Sequence, residues 1–235
     1  MLKRLLRVFL TPIARLMFRP RVIGRSNVPK RGPVVIASNH RSFADSIVIT
    51  LLAPRSVSFL AKSSYFTGTG FRGWLSRVFF LGVGAIPVER GAGQAAQDAL
   101  EHGLEVLTNG EAFSIYPEGT RSLDGRLYKG RTGVAWLALT SGAPVVPVAL
   151  TGTEDLQPVG SRIPHAAKVT IEFGAPLDLS RHGSPESGRA RRAATDEIME
   201  AIHRMSGQPL AGVYNEPPAA NVTERMRRLF HRERH

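Results

Sequence analysis

The segment SNHRSFAD, Ser38 to Asp45, follows the apolar run PVVIA and carries the pair with the plainest chemical use, His40 and Asp45. An imidazole whose Nδ1–H is held by a carboxylate keeps one tautomer, leaves Nε2 free as a base, and is stabilised once protonated. Residues five apart do not face each other on one helix, where neighbours stand three or four apart. With His40 at a strand end and Asp45 in the first helical turn, the reversing chain can bring them together. A second reading uses the same letters. Ser42 followed by Asp45 is an S-x-x-D capping box, in which Asp45 serves only backbone N–H groups. Both readings stay open on these residues alone.

Other groups suited to anions follow apolar runs elsewhere. FLAKSS puts Lys62 past one run, AIPVERG puts Arg90 past another, and SIYPEGTRS puts Glu118, Gly119, Thr120 and Arg121 past a third. A glycine there lets backbone approach a ligand. In open parallel sheets ligands bind at the carboxyl ends of strands, so these groups and His40 are expected on one rim. A histidine–aspartate pair lacks its own nucleophile, so the attacking hydroxyl has to come from substrate.

The elements that must position these groups alternate. Strand-like runs cover 32–38, 57–61, 85–89, 112–117, 143–150 and 168–173, and helical patterns cover 43–53, 72–80, 92–108, 131–141 and 185–206. Such alternation predicts an α/β domain, a largely parallel mixed sheet flanked by helices. The uncharged stretch 132–150 is divided by Ser141, Gly142 and Pro144 into a buried helix and a buried strand, so it is not a membrane span. The division expected is an N-terminal segment 1–20, a domain 21–206, and a linker with a basic tail over 207–235.

Composition narrows the function. The chain has 235 residues, 31 Lys+Arg against 19 Asp+Glu, a net charge of +12, and no cysteine. That charge favours anionic partners, and the missing cysteine removes disulfides, zinc–thiolate sites and a thiol nucleophile. There is no G-x-S-x-G elbow and no Walker A sequence. GTGFRG, Gly68 to Gly73, fits the dinucleotide pattern by letter but follows polar residues instead of a strand. It reads better as a glycine hinge beside Phe66, Phe71, Trp74, Phe79 and Phe80, an aromatic patch suited to lipid.

The N-terminus, MLKRLLRVFLTPIARLMFRPRV, has Lys3, Arg4, Arg7, Arg15 and Arg19 with no acidic residue. Leu2, Leu5, Leu6, Phe9, Leu10, Ile13, Leu16 and Met17 recur at helical spacing, with Pro12 kinking or splitting the helix. The segment is too interrupted for a signal peptide or a span of about 20 apolar residues. It reads as an amphipathic, membrane-associating helix; the alternative is a helix packed on the domain with solvated arginines.

Taken together, the motifs resemble the 1-acylglycerol-3-phosphate acyltransferase type of glycerolipid acyltransferase. NHRSFAD resembles the N-H-x4-D block, GAIPVERG the second block, YPEGTRS the third with Tyr116 in place of phenylalanine, and APVVPVAL the fourth, over about residues 20–180. The resemblance implies His40 as general base and Asp45 as its partner. It places Arg90 in the acceptor site, gives Glu118 and Arg121 the glycerol backbone and phosphate, and gives Lys62 the phosphate. It further implies acyl transfer to the hydroxyl of lysophosphatidic acid without an acyl-enzyme. Acyl-CoA or acyl-carrier protein serves as donor substrate, with no cofactor and no metal. The expected partners are a lysophospholipid and an anionic membrane surface, not nucleic acid, and the expected location is the cytoplasmic face of the cell membrane. Related acyltransferases acting on glycerol-3-phosphate, another lysophospholipid or a glycolipid are alternatives within the class. A non-catalytic basic module binding nucleic acid or membrane is the alternative outside it.

Overall fold

The computed structural model describes residues 11–12, 14–16, 19–89, 94–158 and 165–216. Its frame is a seven-stranded sheet in the order β1-β8-β7-β2-β5-β3-β4. The strands are β1 (Arg21–Ile23), β2 (Val34–Ser38), β3 (Val57–Lys62), β4 (Ala85–Val88), β5 (Ala112–Ile115), β7 (Val145–Thr151) and β8 (Thr170–Phe173). Strands β7, β2, β5, β3 and β4 run parallel; β8 is antiparallel to β7, and β1 pairs parallel with β8. The sheet is therefore mixed and mostly parallel, as the alternation of elements predicts.

β2 shows why its sequence is a continuous apolar run. Its side chains alternate between two buried faces. Val34 and Ile36 join a core with Val48, Ile49 and Leu52 of α1 (Asp45–Leu52) and with Val146, Val148 and Phe173 of neighbouring strands. Val35 and Ala37 face the opposite core. There they meet Leu107 of α3 (Gln94–Thr108), Val134 and Leu137 of α4 (Gly133–Ser141), and Ile198 and Ile202 of α6 (Gly188–Ser206). A smaller cluster joins Phe59 and Ala85 to Phe80 of α2 (Gly70–Gly82), with Phe43 and Tyr65 packed against it. The short helix α5 (Thr153–Leu156) follows β7.

The expected strands and helices are present with ends shifted by up to three residues. Three strands escaped the sequence. β1 is too short to show a period, and β6 (Leu127–Lys129) and β9 (Leu210–Tyr214) form a separate two-stranded parallel sheet with irregular register. This corrects one expectation. Residues 207–216 are not the start of a linker: β9 pairs there, and Gln208 and Asn215 are buried. Pro209 adds a carbonyl that accepts from the Leu127 N–H at 2.9 Å.

The glycines of GTGFRG have a packing reason. A Cβ on Gly73 would lie 2.0 Å from the Gly68 carbonyl oxygen, so the chain crosses itself closely where α2 begins. Of the N-terminal amphipathic segment, residues 11–12 and 14–16 are helical. Residues 1–10, 13, 17 and 18 lie outside the described residues, as do 217–235 of the expected basic tail. No helix among the described residues is long and apolar enough to cross a membrane.

Candidate active site

β2 lies at the middle of the sheet between β5 and β7, and His40 stands just past its carboxyl end. The His40 Nδ1 is 2.8 Å from Asp45 Oδ2. The same oxygen accepts the backbone N–H groups of Arg41 at 2.7 Å and Ser42 at 2.8 Å. With an aspartate as acceptor, Nδ1 carries the ring proton and Nε2 is the basic nitrogen. The capping reading is also realised in part. Ser42 Oγ accepts from the Ala44 N–H at 3.3 Å, while Asp45 bonds back to the Ser42 N–H. One carboxylate oxygen thus fixes both the turn and the imidazole. Asp45 is 0% exposed, so solvent cannot replace those donors.

Tyr116, the residue that departs from the family pattern, orients the imidazole from its face. The two rings stack with centroids 3.8 Å apart and planes 11° from parallel. The Tyr116 hydroxyl lies 2.7 Å from Ser46 Oγ, on the helix that carries Asp45. Burial, reinforced by the Asp45 charge, pushes the Tyr116 phenol well above its ordinary range, so the group stays a neutral hydrogen-bonding partner. Edge and face of the His40 ring are therefore both held.

The EGTRS loop after β5 grips the His40 backbone at two points. Glu118 Oε1 accepts the His40 N–H at 2.9 Å, and the Ser122 N–H donates to the His40 carbonyl at 2.8 Å. Glu118 Oε2 accepts the Tyr128 N–H at 3.0 Å. Glu118 has 0% exposure and both oxygens occupied by backbone, so it holds His40 in place instead of lining the surface for a glycerol. Burial raises its pKa to about 7 despite the two N–H donors, with the Asp45 and Asp124 charges adding to the rise.

Gly119 is required by both conformation and space. It sits at φ +78°, and a Cβ would meet Arg131 Cδ and Nε at 2.9 Å. Arg131 itself lies 5.8 Å from the Tyr214 ring centroid and donates to the Asn215 carbonyl at 3.0 Å. Beside His40, Arg41 pairs with Glu154 of α5 at 2.7 Å, tying the end of β2 to the end of β7.

Lys62 is the last residue of β3, which pairs directly with β5, the strand that leads into the EGTRS loop. Lys62 and Arg121 are exposed and have no carboxylate partner among the described residues, leaving both charges available to an anion. Thr120 is half-buried, and its carbonyl accepts from Asn215 Nδ2 at 3.3 Å. Arg90 lies outside the described residues. Of the expected residues, the structure joins His40 to Asp45 and to the loop that carries Glu118, Gly119, Thr120 and Arg121, and leaves Lys62 at the end of β3. Sequence reasoning missed Ser46, Arg131, Gln208 and Asn215, which support the site through bonds that no local pattern announces.

The sheet and its rim define a class: a mixed, mostly parallel α/β domain with a histidine paired to a buried aspartate just past the carboxyl end of a central strand. The Acyltransferase family model matches residues 19–151, and the chain belongs to that family. It is 34% identical over 146 residues to a chloroplastic 1-acyl-sn-glycerol-3-phosphate acyltransferase of Brassica napus, covering 61% of this chain and 40% of the relative. The alpha form of the same enzyme from Homo sapiens is 28% identical over 155 residues, covering 65% of this chain and 52% of that protein. The chain thus spans about half the length of these relatives. The fold is shared with the crystal structure of the lysophosphatidic acid acyltransferase PlsC from Thermotoga maritima. That match has a TM-score of 0.62 and 24% identity, over 85% of this chain and 80% of that one.

Proposed function

We propose that the protein acylates the free hydroxyl of lysophosphatidic acid, giving phosphatidic acid, with acyl-CoA or acyl-carrier protein as donor. The observation that carries this reading is the His40–Asp45 pair, with the His40 N–H and carbonyl both fixed to the EGTRS loop. Base and acceptor loop form one rigid unit, which is what proximity catalysis requires. The relatives' names supply the acceptor class.

His40 Nε2 takes the proton of the acceptor hydroxyl as its oxygen attacks the thioester carbonyl. The tetrahedral adduct collapses with cleavage of the carbon–sulfur bond, and His40 returns the proton to the departing thiolate. Asp45 stabilises the imidazolium between these steps. Lys62 and Arg121, with Arg90, clamp the acceptor phosphate and aim its hydroxyl.

The test is a panel of acyl-CoA and acyl-carrier-protein donors crossed with lysophosphatidate, glycerol-3-phosphate, a neutral lysophospholipid and a glycolipid. Phosphatidate is expected as the main product; preference for another acceptor would transfer the assignment to that head group. In the same assay Arg121→Ala is expected to lower kcat/KM for lysophosphatidate by roughly 10- to 100-fold, the worth of a charge-assisted bond to phosphate. An unchanged value would remove Arg121 from the clamp.

A membrane-seated enzyme also accounts for α2. Phe71, Trp74 and Leu75 are exposed beside Arg72 and Arg77, with Trp74 at 55%, and the Phe71 and Trp74 rings stack on each other. Aromatic rings flanked by arginines suit the interface of an anionic bilayer, at the cytoplasmic membrane face. Phe80, on the buried side of the same helix, touches Phe43 of the His40 segment. A Phe71→Ser/Trp74→Ser double variant should bind anionic vesicles at least about tenfold more weakly in sedimentation. Equal partitioning would assign the contact elsewhere.

A further inference from the structure

The acceptor loop is held from outside the stretch that matches the family. That match ends at residue 151, yet two buried amides near the end of the described chain reach back to the loop and to the residue before His40. The Asn215 Nδ2 bridges two successive carbonyls, donating to Thr120 at 3.3 Å and Arg121 at 3.1 Å. Its own carbonyl accepts from Arg131, the side chain lying over Gly119. Gln208 makes the second link. Its Nε2 donates to the Gly125 carbonyl at 2.8 Å, and its Oε1 accepts from Asn39 Nδ2 at 2.6 Å. Asn39 is fully buried and closes the circuit: it also donates to the Leu150 carbonyl at 3.0 Å and accepts the Leu150 N–H at 2.8 Å.

We propose that Gln208 and Asn215 are positioning residues that set where the acceptor loop stands relative to His40. The loop's carbonyls point into the protein because the amide of Asn215 receives them, which leaves the Arg121 side chain outward. Gln208, at 4% exposure, and Asn215, at 8%, are amides with specific partners in places where a core would otherwise take apolar side chains. The inference rests on the loop binding the acceptor, as proposed above.

The carboxylate analogues separate positioning from bulk stability. Asn215→Asp keeps the shape but turns an oxygen toward two carbonyls. Gln208→Glu keeps the acceptor for Asn39 but turns an oxygen toward the Gly125 carbonyl in place of the donor. Asn215→Ala serves as a second variant should the aspartate fail to fold. In the full chain, amide hydrogen exchange within 119–126 is expected to accelerate about tenfold while β2 and β7 keep wild-type protection. The KM for lysophosphatidate is expected to rise about tenfold, with the KM for the thioester donor within about twofold of wild type. Uniform loss of protection across the sheet, or a faster-exchanging loop with unchanged acceptor KM, would overturn the proposal. If the wild type does not acylate lysophosphatidate, the acceptor assignment fails, and the exchange pattern alone decides whether the brace exists.

Discussion

His40→Ala should lower acyl transfer by about 10³- to 10⁴-fold while the protein remains folded. The expected selectivity comes from how His40 is held. Its fold-supporting bonds are made by backbone, the N–H to Glu118 and the carbonyl from Ser122, and alanine keeps both. What is lost is the imidazole, its stack on Tyr116 and its donor to the buried Asp45 oxygen, which keeps the Arg41 and Ser42 N–H groups. Thermal unfolding should therefore fall by about 2–12 °C, the response to losing one donor to a buried carboxylate, about 1–3 kcal/mol. Asp45→Asn is expected to follow the same pattern with a larger stability loss. Its oxygen still accepts from Arg41 and Ser42 but carries no charge to stabilise an imidazolium. A His40→Ala variant with near wild-type turnover would leave the segment as a helix cap and nothing more.

The second large effect is expected at Glu118, in stability. Its folded pKa of about 7 stands above the ordinary 4.5, so between these values the folded protein keeps a proton that the unfolded chain releases. Stability from this group is therefore greatest below pH 4.5 and declines as pH rises through 7, by roughly 3 kcal/mol in all. Glutamine copies the neutral acid and cannot titrate. Against Glu118→Gln, the wild type should show its largest advantage near pH 5 and a narrowing one toward pH 8, read from urea unfolding midpoints. Parallel curves would show that Glu118 does not titrate in this window. Glu118→Ala should cost more at every pH. It leaves the His40 and Tyr128 N–H groups without their acceptor, about 1–3 kcal/mol each when buried, and it frees His40 to drift.

Much of this was legible before any coordinates, for definite reasons. Strand-like runs cover six of the seven strands of the main sheet, all but β1, and the central β2 and β7 are the nearly unbroken apolar runs that buried parallel strands give. The exceptions explain themselves. β1 is only three residues long, and β6 and β9 carry neither a clean alternation nor a regular register. The rim was legible because the ends of parallel strands lie along one edge of the sheet, so the loop after β5 meets the turn after β2, where its Glu118 and Ser122 bond to His40. The direction of a side chain was not. Glu118 belongs to the motif by letter, but its carboxylate faces inward to backbone groups, and no spacing rule tells a buried glutamate from a ligand-facing one. Gln208 and Asn215 were hidden more deeply, because their partners are carbonyls of Gly125, Thr120 and Arg121, and any residue type supplies a carbonyl. SNHRSFAD supports two readings because one oxygen, Asp45 Oδ2, serves both the turn and the imidazole.

Direct transfer, with no acyl-enzyme, is tested by one measurement. Wild-type protein in excess over a labelled acyl thioester is mixed with and without lysophosphatidate, and thiol release, protein-bound label and labelled phosphatidate are followed in a single turnover. Direct transfer predicts no thiol release and no labelled protein without acceptor, then one phosphatidate formed per thiol released when acceptor is present. Thiol release or labelled protein without acceptor, or thiol released without matching phosphatidate, would contradict it.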